Sequence, residues 1–177
     1  EDMRKFLAET YSAEKLSAEL ANSESVTFIA YKNGTPLGYL KLNIGNAQTE
    51  KCLDNALEIQ RIYILKSAKG QGIGSAFMQI AENFASEKKL STIWLGVWEH
   101  NEPAKKFYKS KGYEKFSHHT FVIGDDMQTD FLLKKKFYDL GQNKRTAFKD
   151  CPKNVIWFKS KLCDDFAVNR TAKTCGI

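Results

Sequence analysis

The stretch that decides the fold is ALEIQRIYILKSAKGQGIGS, residues 56–75. Its first half, Ala56–Leu65, alternates as a strand does when one face meets a core. Three glycines follow, Gly70, Gly72 and Gly74, and then a helix of about 15 residues opens at Ser75. Phe77, Ile80, Ala81 and Phe84 share one face of that helix. The first turn of a helix leaves about four N–H groups without partners and carries roughly half a positive charge. Glycines let the backbone turn such donors into one concavity, which suits a phosphate or diphosphate. A tight turn into a helix, with no ligand, would use the same residues. Two other phosphate motifs fail here. A dinucleotide G-x-G-x-x-G needs glycine where Ser75 or Phe77 stands, and a Walker loop needs a Gly-Lys pair that these glycines lack.

Outward from this stretch the pattern remains α/β. Upstream, Val26–Lys32 and Leu37–Leu42 read as strands joined at Asn33-Gly34, where both residues tolerate positive φ. A polar segment, Asn43–Asn55, separates them from the deciding strand. Residues 4–21 have helical spacing, with Ser12 as a cap or break. Downstream, Thr92–Trp98 has the few polar breaks expected of a strand covered on both faces. Asn101 caps a short helix with Pro103 in its first turn and Gly112 at its end; Ala104, Phe107 and Tyr108 point inward. Tyr113–Phe116, Thr120–Ile123 and Thr129–Leu133 are further strand candidates.

Composition bounds the class. The chain has 177 residues, 42% hydrophobic and 27% charged, with 3 Pro and 11 Gly, which excludes collagen-like and wholly disordered chains. No uncharged apolar run is long enough to span a membrane, and no secretory signal pattern opens the sequence. The net charge of +6 is uneven: residues 1–136 carry 19 Lys+Arg against 17 Asp+Glu, while residues 137–177 carry 8 against 4. The nearly balanced body argues against a nucleic-acid partner. Cys52 stands alone, and Cys151, Cys163 and Cys175 fall in the basic tail without zinc spacing. Free thiols in a reducing cytoplasm are the simplest reading, and no metal is expected. The expected organisation is a main domain over 1–136 and a basic, Cys-containing tail over 137–177.

The loop also resembles the acetyl-CoA loop of the GNAT superfamily of N-acetyltransferases, R/Q-x-x-G-x-G/A. Lys69 stands at the Arg/Gln position, with Gly72 and Gly74 as the glycines. Lysine keeps the charge of Arg but not its planar fork. Flanking segments extend the resemblance. Glu58-Ile59-Gln60-Arg61-Ile62-Tyr63-Ile64 fits E-I-x-R-h-x-V, where h is apolar. Asn101, Ala104, Phe107, Tyr108, Gly112 and Tyr113 fit N-x-x-A-x-x-F-Y-x-x-x-G-F/Y. Residues 94–101, WLGVWEHN, together with Phe121 and Gly124–Asp130, are similar to the PaiA-type branch.

The resemblance implies a mixed, mostly antiparallel sheet splayed between its two central strands and flanked by helices. One helical region precedes Val26 and the chain opens at Glu1, so the first strand of that fold is expected to be missing. The implied reaction moves the acetyl group of acetyl-CoA to a primary amine, spermidine or spermine above all, by direct transfer in a ternary complex. The alternative is an acetyl-CoA-binding regulator with little or no turnover. Cofactor contacts are implied for the backbone of Ile62, Tyr63 and Ile64, for Lys69, Gly70, Gln71, Gly72, Ile73, Gly74 and Ser75, and for Asn101 and Tyr108. Tyr108 is the implied general acid at the departing sulfur, where it would protonate the thiolate or hold it by a hydrogen bond.

Deprotonating the acceptor is the harder step. An ammonium with a lysine-like pKa is only about 0.05% neutral at pH 7, a cost of about 4–5 kcal/mol. Glu58, Glu99 and His100 are candidate bases, and the residues alone do not choose among them. Asp125, Asp126 and Asp130 form an acidic group that suits a polycation equally with a plain Asp turn, and His118 or His119 could orient one of them. The partner expected is a small-molecule amine, with no membrane and with a homodimer left open.

Overall fold

The computed structural model describes residues 12–123, 126–136 and 156–159. Helix α1 (Ala13–Ala21) begins at Ser12, whose side chain accepts from Lys15 N–H. The rest of the expected 4–21 helix lies outside the described residues. Strands β1 (Ser25–Lys32) and β2 (Thr35–Asn43) form the hairpin expected at Asn33-Gly34, both of which take positive φ. Strand β3 (Ala56–Ile64) leads to helix α2 (Ile73–Glu87), then strand β4 (Thr92–Trp98) and helix α3 (Glu102–Ser110). Strands β5 (Glu114–Ile123), β6 (Asp126–Lys136) and β7 (Ile156–Lys159) complete the set.

Three of the differences from the sequence expectation bear on the architecture. Helix α2 starts at Ile73 rather than Ser75, because Gly72 takes the left-handed cap conformation and the helix opens at once. Tyr113–Phe116 and Thr120–Ile123 are not separate strands. They belong to one β5, whose register against β6 shifts between Lys115 and Ser117. Ile156–Lys159 lies in the tail by sequence, yet it pairs antiparallel with β1 as the outermost strand.

The sheet order is β5-β6-β4-β3-β2-β1-β7, seven strands in all. Only β3 and β4 run parallel, and they pair for just three residues, Ala56↔Thr92 to Glu58↔Trp94. Beyond Glu58 they diverge, while each stays paired on its outer side, β3 with β2 and β4 with β6. The register between β2 and β3 slips at Lys41/Leu42, which leaves Gln60 as an extra residue. A bulge of this kind bends its strand and increases the twist, consistent with the splay.

Each face of the sheet buries a different set of side chains. Leu40, Leu42, Leu57, Ile93 and Leu95 pack with Phe77, Met78 and Ala81 of α2 in the main core. A smaller cluster of Ala56, Trp94 and Leu132 lies with Cys52 and Leu53 on the other face. Trp94 Nε1 donates to Gln48 Oε1 at 2.7 Å and pins the segment between β2 and β3 over that face. Helix α1 buries no residue of its own. It is tied down by Glu19, which meets Arg61 at 2.7 and 3.0 Å and Lys41 at 2.9 Å. Among the described residues no helix is long and apolar enough to cross a membrane.

Candidate active site

The splay opens a cleft of about 740 Å³, within the usual range of roughly 300–1,000 Å³ for a ligand site. All residues that the sequence assigns to the cofactor line it except Gln71, whose side chain turns back to Ser67 O at 3.0 Å. Gly70 and Gly72 sit at φ +76° and +82°, where L side chains are strained, and so the loop can fold under the helix end. Gly74 serves a different need. A β-carbon there would approach Phe107 Cζ to 3.3 Å, so the glycine lets α3 close against α2. Ala76 N–H is the first in α2 to close a helical hydrogen bond, to Gly72 O at 3.0 Å. The amides of Ile73, Gly74 and Ser75 precede it, on residues that line the cleft.

On the neighbouring wall, β3 from Ile59 to Ile64 has lost its β4 partner, leaving one row of backbone donors and acceptors open. Such an edge can take an extended, amide-bearing ligand as an added strand. The cleft therefore combines a phosphate cradle, a strand-like edge and Lys69 at its exposed rim. That combination fits an acyl-pantetheine diphosphate.

Asn101 caps α3, its Oδ1 accepting from Ala104 N–H at 3.2 Å, and still lines the cleft. Tyr108 is 6% exposed and also lines it. Burial pushes its phenol up to about 12, so the ring keeps its proton throughout the physiological range.

The two candidate carboxylate bases do not line the cleft. Glu58 is 2% exposed. Its carboxylate accepts from Asn43 Nδ2 at 3.0 Å, from Thr49 N–H at 2.9 Å and from Thr49 Oγ1. Asn43 Oδ1 in turn accepts from Ser25 Oγ at 2.8 Å, so the glutamate is the centre of a buried network. Glu99 caps the end of β4, with its carboxylate 3.8 Å from the exposed His100. Among the described residues no group of three or more His, Cys, Asp or Glu is arranged to hold a metal ion.

Several lining residues were not among the site residues expected from the sequence. Gln60, the bulge residue, lines the cleft, and its buried Oε1 has no hydrogen-bond partner among the described residues. Gly96 and the 45% exposed Trp98 bring β4 to the opposite wall. The acidic group resolves differently from its sequence. Asp125 and the side chain of Asp126 lie outside the described residues, while Asp130 pairs in register with Trp98 on one side and His119 on the other.

Comparison with known proteins agrees with this geometry. The family described as "Acetyltransferase (GNAT) family" matches residues 1–113. An uncharacterized N-acetyltransferase in the pepI 3' region of Lactobacillus delbrueckii subsp. lactis is 50% identical over 135 residues, 76% of this chain and 78% of that protein. Spermidine N(1)-acetyltransferase of Thermoplasma acidophilum is 26% identical over 141 residues, 77% of this chain and 78% of its own length. The crystal structure of the PaiA N-acetyltransferase from the same organism, in complex with coenzyme A, superposes with a TM-score of 0.60 at 25% identity, covering 76% of this chain and 77% of that one. An enzyme class follows from fold and relatives together: acyl transfer to nitrogen. The chain belongs to the GNAT family of N-acetyltransferases.

Proposed function

We propose that this enzyme acetylates a primary amine of a polyamine such as spermidine or spermine, taking the acetyl group directly from acetyl-CoA in a ternary complex. The observation that carries the reading is the cleft itself, where the glycine cradle and the open edge of β3 meet Tyr108. The co-substrate supplies an activated thioester. The cradle amides of residues 70–75 and the Lys69 charge bind its diphosphate, and Ile62, Tyr63 and Ile64 align its amide-bearing arm. Backbone N–H groups on the same open edge face charge that builds on the acetyl oxygen.

Tyr108 works as a hydrogen-bond donor to the departing sulfur. A phenol near 12 is a poor source of a full proton for a thiolate whose conjugate acid lies near 8.5. The gap of roughly three to four units corresponds to about 5 kcal/mol. A donated hydrogen bond stabilises the sulfur without that cost, and the proton comes from the amine nitrogen.

A polyamine is favoured by two features. Asp130 is in register with the exposed Trp98, and Glu50 adds a second carboxylate against His119, which is in register with Asp130 on its other side. A relative of modest identity also carries the name spermidine N(1)-acetyltransferase. The test is thiol release from acetyl-CoA across a panel of spermidine, spermine, aminoglycosides and peptide N-termini. Turnover should be highest with the polyamines. Tyr108→Phe should lower kcat about 10- to 100-fold while coenzyme A affinity stays within about threefold. Tight coenzyme A binding with no thiol release would favour a regulatory role instead.

A further inference from the structure

One cluster beside the cleft has no part in the cradle. Asp130 Oδ2 lies 3.6 Å from where a β-carbon on Gly96 would stand, with Leu132 at 3.9 Å. Gly96 is exposed and lines the cleft. Residue 96 has no side chain, and so the half-buried carboxylate reaches over it beside the cleft, which Asp130, His119 and Glu50 border without lining. Trp98, directly across from Asp130 in the β4–β6 register, adds an exposed aromatic face. On the other side, Asp130 is in register with His119 of β5. His119 Nδ1 is 2.8 Å from Glu50 Oε1, close enough for an ion pair although the ring N–H is not aligned on that oxygen. Gln48 and Trp94 hold the Glu50 segment in place. Residues of four segments thus lie together beside the cleft.

Resting on the polyamine reading above, we propose that Asp130 is the catalytic residue that receives the acceptor ammonium and takes its proton, with His119 and Glu50 as positioning residues behind it. The acceptor arrives as R–NH3+, held between the Asp130 carboxylate and the ring of Trp98. One proton passes from nitrogen to the Asp130 carboxylate and frees a lone pair. That pair forms the bond to the acetyl carbon, the carbon–sulfur bond breaks, and its electrons go to sulfur. The second nitrogen proton neutralises the sulfur while Tyr108 donates its hydrogen bond. Asp130 releases its proton to solvent by way of His119.

The local charges suit a base. Burial raises the Asp130 carboxyl above the ordinary aspartate range, His119 opposes that rise, and Glu50 adds to it. Strand β4 contributes only the uncharged Gly96 and Trp98 at this point.

The test uses the full chain, acetyl-CoA and spermidine over about pH 6 to 10. Asp130→Asn should lower kcat/KM about 100-fold near pH 7, the size expected for a lost general base. The deficit should shrink toward pH 10, where free amine becomes abundant. Spermidine should bind the coenzyme A-loaded protein about tenfold more weakly by calorimetry, while coenzyme A itself binds as before. His119→Gln should move the acid limb of kcat/KM to higher pH, and Glu50→Gln should move it lower. These opposite shifts also test the idea if Asp130→Asn fails to fold. A parent active on spermidine with Asp130→Asn within threefold of it, or with a deficit that is the same at every pH, overturns the role of Asp130 alone. A parent that binds coenzyme A yet acetylates no amine overturns the polyamine reading and this role together.

Discussion

The two walls of the cleft are built on different plans. On the cradle side, residues 59–75 follow one another in the chain, and backbone groups do most of the work. On the proposed acceptor side, Trp98 lines the cleft and Glu50, His119 and Asp130 stand beside it, so that the reading rests on side chains from four segments. A backbone site depends on conformation, so it is sensitive to glycine and to strand pairing. A side-chain site depends on what holds its segments in place, so its weak points are remote from the chemistry. Glu58 shows this directly. It is wholly buried, and its hydrogen bonds to Thr49 anchor the segment that carries Glu50.

The contrast can be broken by mutation. Glu58→Ala should have the largest effect on the protein as a whole. It leaves the buried donors of Asn43 and Thr49 without acceptors, at a cost of about 2–4 kcal/mol in urea unfolding. If amine turnover fell with no loss of stability, Glu58 would belong to the chemistry and the anchoring role would be wrong. Gly72→Val forces a branched side chain into left-handed backbone, a strain of about 1–3 kcal/mol. The coenzyme A Kd should rise about 10- to 100-fold by calorimetry, with spermidine discrimination unchanged.

Glu19→Gln should be milder, about 1–2 kcal/mol, because α1 is held through a partly exposed carboxylate. Burial acts to raise the Glu19 carboxyl, but Arg61 and Lys41 outweigh it and hold the group below its usual range. A depressed carboxyl contributes stability above its unfolded value, and that contribution is lost as pH falls through the folded one. Parent and variant should therefore converge in chemical denaturation below about pH 4. Smallest is Lys69→Ala at the exposed rim of the cradle. Coenzyme A affinity should fall by no more than about fivefold, and the difference should fade at high salt.

How much could be read beforehand follows the same division. The loop from Lys69 to Ser75 was legible because glycine spacing, strand and helix are local features. The strand–helix order, and the place of Tyr108 on α3, were legible for the same reason. The early start of α2 was missed because helical periodicity counts apolar side chains and cannot register a left-handed Gly72. The long β5 was split in two because its bulge breaks the alternation at Phe116. Glu58 and Glu99 looked equally placed for base chemistry, since a linear pattern says on which strand a carboxylate sits but not what it touches. Gln60 gave no signal, because a bulge is a property of two strands together.

By itself, then, the order of residues determined the cradle and the family of reactions. Both rest on backbone conformation, which nearest neighbours in the chain control. Tertiary structure alone decided that β3 and β4 part after Glu58, that Glu58 is consumed by a buried network, and that Asp130 reaches over Gly96 in register with His119. Those outcomes depend on strand register and on packing between segments that lie from 9 to 36 residues apart, which no local pattern records.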